Sequence, residues 1–150
     1  MEQIKLPEIE ICLTYKGNVK KSELKVIRSS RDIYEILQPL FSNSIDWQEE
    51  MLMLCLNQAN KVVSYYRVSR GGMTGTVCDP RIVFTVALNA GACKIILAHN
   101  HPSGNLTPSE ADKTITKKIT GAGQFMDILL LDHLIVTDEG YYSFSDEGML

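Results

Sequence analysis

The chain predicts an α+β fold: a mixed sheet flanked by helices, three layers in an α/β arrangement. Three observations carry the prediction. Apolar runs at 51–56, 93–98 and 128–131 have strand length. Segments with helical spacing and legible caps lie among them, near 29–40, 79–91 and 108–121. The two kinds of segment interleave without strict βαβ repetition, so the sheet is mixed rather than wholly parallel. One hundred and fifty residues suffice for one domain with a proper core and are too few for two ordinary ones.

From the N-terminus, Ile9 to Tyr15 alternates apolar and polar over much of its length, and Lys16-Gly17-Asn18 turns. Leu24 to Ile27 can return, so an N-terminal hairpin is expected. Ser29 or Ser30 caps a helix that keeps Ile33, Ile36, Leu37 and Leu40 on one side and ends near Pro39 to Ser42. These strands and this helix, residues 1–44, are expected to pack on the same domain as residues 45–150. Met51 to Leu56 is continuously apolar, as a central strand covered on both faces would be, and carries no parity signal.

Asn57 to Asn60 turns the chain into a partner strand at 62–68. Gly71-Gly72 and Thr74 to Val77 read as a kinked connection leading to an extended piece. Asp79-Pro80 is an N-cap followed by proline, opening a helix that turns Ile82, Val83, Val86 and Ala87 inward. Cys93 to Ala98 is the next strand. Thr107 as N-cap, Pro108 at the first helical position and Glu110 three residues after the cap predict a helix over 108–121, stopped by Gly121 and Gly123. Ile128 to Leu131, Leu134 to Thr137 and Tyr141 to Phe144 close the sheet.

A net charge of −3 gives no general basic footprint for nucleic acid. Lys113, Lys117 and Lys118 form a local basic run of the kind usual on a solvated helix face. The four cysteines, Cys12, Cys55, Cys78 and Cys93, show no C-x-x-C, and Cys55 and Cys93 sit in largely apolar runs. The first residues show no basic and apolar regions of a secretory signal, and no apolar run approaches a membrane span. A reducing cytoplasm is the expected compartment.

The chemistry concentrates between Ile96 and Asp112. Residues two apart in an extended backbone point to the same side, so His99 and His101 can aim both imidazoles at one point while Asn100 faces away. Ser109 and Asp112, three apart on the following helix, share a face. Two imidazoles and a carboxylate would make a three-ligand site with a fourth position for water, the pattern of catalytic zinc. Asp112 taken alone reads rather as an ordinary first-turn carboxylate favoured by the helix dipole.

The spacing H-x-H-x7-S-x2-D, written here as HNHPSGNLTPSEAD, resembles the JAMM signature of MPN-domain (JAB-domain) metallopeptidases, and the longer string is similar to the bacterial RadC-like branch. The resemblance extends over roughly residues 45–145. It takes in Glu49 at the head of a strand ending Leu56-Asn57, Gly71-Gly72 before Arg81, Leu131-Asp132-His133, and Tyr142-Ser143-Phe144. It implies a cytidine-deaminase-like fold, with His99, His101 and Asp112 binding Zn2+ together with a water. It also implies Ser109 helping to stabilise an oxyanion and a glutamate as general base and acid. Zinc lowers the pKa of bound water to about 7, and a carboxylate in reach can carry its proton to the leaving amine. Glu49 and Glu50 both qualify by type and point to opposite faces of the strand; counting back from Leu56-Asn57, the family's glutamate falls on Glu49.

The implied reaction is hydrolysis of a peptide or isopeptide bond in an unidentified peptide or protein. Members of the family are often labelled DNA repair proteins, but longer RadC-like chains carry a helix-hairpin-helix segment whose glycine-containing hairpins are not seen in residues 1–44. That difference and the acidic balance weigh against duplex binding. A non-catalytic metal-containing interaction or DNA-associated module is the alternative.

Rival readings of single motifs are weaker. Contiguous His99-Asn100-His101 has nothing to do with HNH nucleases, whose namesake residues are dispersed. Gly71 to Gly75 lacks the G-K-[ST] ending of a phosphate loop, and Ser103 lacks a G-x-S-x-G context. A cytidine-deaminase zinc site would need H-x-E and P-C-x-x-C, which are missing. A site of His99, His101 and His133 is the best competing metal centre, although His133, after a long apolar strand, suits a structural role or one behind the ligands.

Overall fold

The computed structural model describes residue 1 and residues 4–72 and 77–150. Five strands form one sheet in the order β2-β1-β3-β4-β5, with β1 Glu50–Leu56, β2 Val62–Arg70, β3 Lys94–Asn100, β4 Leu129–Val136 and β5 Tyr141–Ser143. β1 runs antiparallel to both β2 and β3, β3 and β4 are parallel, and β5 returns antiparallel on β4. The helices are α1 Ser30–Leu37, α2 Pro80–Asn89 and α3 Glu110–Phe125. The predicted mixed sheet between helical layers is what forms.

Every residue of β1 is buried, as its unbroken apolar run requires. Met51, Met53 and Cys55 pack with Ile95 and Leu97 under α2 and α3. Leu52, Leu54 and Leu56 meet Ile33, Leu37 and Phe41 of α1 and the 3-10 turn Gln38–Phe41 on the other face. Complete burial of a leucine-sized side chain contributes about 1.5–3 kcal/mol, so these two layers hold the sheet.

Five expectations need correction. Most simply, α2 leaves Ile82 exposed rather than turned inward. The N-terminal hairpin does not form: residues 9–15 are not in a strand, and Ile9 and Ile11 stay exposed. The returning segment contributes only the bridge between Val26 and Lys61. A two-stranded hairpin without a surface to cover is marginal in water, and no strand of this sheet receives Ile9 and Ile11. The cap of α3 is Ser109, not Thr107; Pro108 lies outside the helix, and Thr107 N–H is held by the Asn105 side chain. Gly121 and Gly123 do not stop α3, which runs on to Phe125. Gly123 is there for closeness, because a Cβ on it would run into the Ile128 carbonyl. Finally, β4 is one strand where two pieces were expected, with Asp132 and His133 inside it. The Thr74 to Val77 connection falls mostly outside the described residues.

The register between β3 and β4 shifts so that Leu131 is passed over: Ile95 faces Leu130, and Ile96 faces Asp132. A bulge of this kind inverts the inward and outward alternation beyond it. Leu130 packs under α3, and simple alternation would turn His133 to the opposite face. The extra residue brings it back to the α3 side, beside His99.

Candidate metal centre

β3 delivers its C-terminal end into the loop that opens α3, and the parallel strand β4 follows that helix. The end of a parallel strand leading into a helix is where open α/β sheets gather ligands. His99 lies at that end of β3, fully buried and paired across to Met51. His101 follows one turn-ward step beyond the strand, where its N–H is held by the Val136 carbonyl. The turn back is closed by Gly104 N–H on the His101 carbonyl, with Gly104 at a φ of 79° that glycine adopts freely.

Asp112 is positioned by its own helix start. Ser109 Oγ accepts the Asp112 N–H at 3.0 Å, and Asp112 Oδ2 accepts the Ser109 N–H at 2.8 Å. This reciprocal capping box fixes the carboxylate rotamer. Asp112 Oδ1 lies 3.1 Å from His99 Nε2, and Oδ2 lies 3.4 Å from His101 Nε2. The two imidazole Nε2 atoms are 3.0 Å apart. Glu49 Oε1 stands 4.0 Å from His99 Nε2, and one ligand atom from each of Glu49, His99, His101 and Asp112 lies within 4.8 Å of the others.

The two candidate glutamates part company at the head of β1. Glu49 faces the histidines, and its backbone is held by Gly71 N–H and the Gly72 carbonyl. Glu50 turns to the α1 face, where it is buried and paired with Arg67 and Arg70 of β2. Asn100, adjacent to His99 and facing away from it, organises the approach to β1. Its Nδ2 donates to the carbonyls of Ser44, Ile45 and Gln48, and its Oδ1 accepts the Glu50 N–H.

The donor set suits a cation. Asn105 carbonyl can only accept, so the 2.6 Å contact from His101 Nδ1 places the His101 proton there and leaves Nε2 as a lone pair. That lone pair, the His99 ring and a carboxylate converge within hydrogen-bond distance of one another, and such a group of acceptors is stabilised by a positive charge between them. Burial opposes ionisation of Asp112, but the adjoining His101 and His99 imidazoles, with the Ser109 N–H, override it and hold the carboxyl well below its ordinary range. Burial pulls the His101 imidazole down, and the Asp112 carboxylate with the Asn105 carbonyl lifts it net above its ordinary value. Burial raises the Glu49 carboxyl, against the pull of His99 and His101, which moves it toward the range of a general base.

A cleft of about 220 Å³ opens beside Glu49 and Asp112, with Met51, Val77, Cys78, Ala111 and Ile115 on its walls. Burial pushes the Cys78 thiol up to about 11, so it lines the cleft as an apolar group.

Sequence reasoning did not foresee the functions of Asn100, Arg67 or Thr116. Thr116 sits one turn after Asp112 and is buried on the same side of α3. The signal was there in the i to i+4 spacing. His133 lies behind His99, with His133 Nε2 2.9 Å from His99 Nδ1, and has no ligand atom in the four-residue cluster, so the centre of three histidines does not form.

The chain is similar to a UPF0758 protein of Flavobacterium johnsoniae, 51% identical over 127 residues, covering 85% of this chain and 55% of that protein. A UPF0758 protein of Porphyromonas gingivalis is 43% identical, covering 83% and 54%. The chain therefore spans about half the length of these curated relatives. The UPF0758 protein YfjY of Escherichia coli is 38% identical, and that alignment covers 100% of this chain and 99% of YfjY. The RadC-like JAB domain description matches residues 27–149, from the entry into α1 to the end of the sheet and beyond. That match covers most of the chain, and the chain belongs to the RadC-like JAB domain family.

Proposed function

We propose that this chain is a zinc-dependent hydrolase of the JAMM type that cleaves a peptide or isopeptide bond. The observation that carries the reading is the convergence of His99, His101 and Asp112 with Glu49 beside them. His99, His101 and Asp112 would hold the zinc, leaving a fourth position open. Zinc supplies Lewis-acid polarisation of a carbonyl and makes water acidic enough to ionise near neutral pH.

The protein's own residues perform the remaining steps. Glu49, partly desolvated and therefore raised in pKa, takes the proton of the attacking water and passes it to the leaving amine. Ser109 Oγ already accepts the Asp112 N–H, and its own O–H proton is the group it offers to the developing oxyanion. The cleft of Met51, Ala111 and Ile115 gives an apolar side chain of the substrate a place to bind and keeps the reacting carbonyl against Glu49. A peptide or protein fits such a cleft, and the net charge of −3 gives nucleic acid no broad attraction.

The test joins metal analysis to turnover. About one zinc per chain by mass spectrometry, lost in Asp112→Ala, together with cleavage of a peptide or isopeptide library that disappears in Glu49→Gln, is the expected result. No zinc after reconstitution sinks the proposal. Zinc without turnover on any library member leaves a metal-containing binding module in its place.

A further inference from the structure

Behind the cluster lies a buried chain of hydrogen bonds that none of the four site residues explains. Thr116 Oγ1 is 2.7 Å from the Asp112 carbonyl and also 2.7 Å from His133 Nδ1. His133 Nε2 is 2.9 Å from His99 Nδ1. His133 is fully buried, and its ring stacks on Phe144 at 4.9 Å between centroids, so it has little freedom to turn away.

The direction of this chain is set at its far end. A carbonyl oxygen only accepts, so the threonine hydroxyl spends its single proton on the Asp112 carbonyl. Thr116 Oγ1 must then accept from His133, which puts the His133 proton on Nδ1. Neutral His133 is left with a bare Nε2, and this atom accepts from His99. The His99 proton is thereby placed on Nδ1, and His99 Nε2 faces Asp112 and His101. Reversing the order would set the hydroxyl oxygen against the Asp112 carbonyl as two acceptors 2.7 Å apart in a buried site.

We propose that Thr116 and His133 are positioning residues that fix the tautomer of His99, so that Nε2 is the atom presented to the ligand cluster. The backbone carbonyl of Asp112 starts the relay and the side chain of Asp112 meets its end, so one residue of α3 ties both. The consequence for zinc rests on the hydrolase reading; the placement of the protons does not. Metal-binding histidines elsewhere depend on such partners, whose removal lowers metal affinity about 10- to 100-fold.

The experiment is two-bond nitrogen–proton correlation NMR on histidine-labelled full chain at mildly alkaline pH, zinc-free and zinc-loaded. The three histidines are few enough to assign by substitution. His133 protonated at Nδ1 and bare at Nε2, with His99 carrying a proton on Nδ1 in both preparations, is expected. A proton on His133 Nε2 overturns the proposal. Thr116→Val, which keeps the shape and removes the hydroxyl, should weaken zinc affinity about 10- to 100-fold in a chelator competition, and Thr116→Ser should restore it. Equal affinity in Thr116→Val and the native chain also overturns it. Because the zinc-free spectrum needs no metal, failure of the hydrolase reading would leave the tautomer result standing on its own.

Discussion

Replacing Asn100 with alanine measures how strongly the end of β3 is tied to the head of β1 and the loop before it. Asn100 is fully buried. Its amide donates to the Ser44 and Ile45 carbonyls at 3.2 Å each and to Gln48 at 2.8 Å, and its oxygen accepts the Glu50 N–H at 2.8 Å. Two amide protons thus serve three carbonyls, one of them shared. Asn100→Ala strands a buried backbone donor and leaves those carbonyls without their partner. Each unsatisfied buried group costs about 1–3 kcal/mol. Because the carbonyls share two protons and Gln48 is only partly buried, the total is about 3–4 kcal/mol. For a domain of this size that lowers Tm by roughly 10 °C. Asn100→Asp is predicted to be worse at neutral pH, because a carboxylate there faces three carbonyl oxygens and cannot donate to them. The folded protein raises the pKa of such a group, so the deficit of Asn100→Asp narrows as pH falls and widens as pH rises through that value. Urea unfolding of all three chains at acidic and neutral pH measures both effects. A loss below about 1 kcal/mol in Asn100→Ala, with an unchanged m value, would refute the argument.

Other perturbations separate neighbouring residues. Glu50→Gln breaks the pairing with Arg67 and Arg70. Both arginines reach solvent and keep hydration when Glu50 loses its charge, so the loss is about 1–2 kcal/mol, below the roughly 3–5 kcal/mol of a fully buried pair, with zinc content and turnover retained. Glu49→Gln gives the reverse pattern, keeping stability and zinc while lowering turnover by about 100-fold or more; a drop of similar size in Glu50→Gln would assign the base wrongly. Gly123→Ala forces α3 off the Ile128 carbonyl and should destabilise by about 1–3 kcal/mol, read from thermal melts; an unchanged melt contradicts the close approach. Burial raises the Asp132 carboxyl above 3.8 despite bonds from Ser143, Ser145 and His133. Its folded pKa exceeds the unfolded one, so its stabilising contribution is present below about that value and is lost as pH rises through the folded pKa. The stability of the native chain relative to Asp132→Asn should therefore fall from acidic to neutral pH, and a rise would show the sign to be wrong.

Much of this protein is written locally. The apolar run 51–56 is a buried central strand because nothing in it tolerates water on either face. Ser29 and Asp79 start helices where a side-chain acceptor can meet free backbone N–H groups. His99, His101 and Asp112 come together because a strand end and the first turn of the next helix are separated by a short turn-rich loop. The choice between Glu49 and Glu50 could not be made from a strand apolar on both sides; residues of other strands decide it, with arginines of β2 claiming Glu50 and the end of β3 facing Glu49. The cap of α3 moved to Ser109 because Asp112 reaches back to its N–H, a pairing that competes directly with the Thr107 alternative. The bulge at Leu131 that turns His133 toward His99 is a matter of register between β3 and β4, and register is fixed by the packing of both sheet faces. The alternating residues 9–15 carry a strand signal, but a strand exists only where another backbone is present to pair with it, and here the sheet offers none.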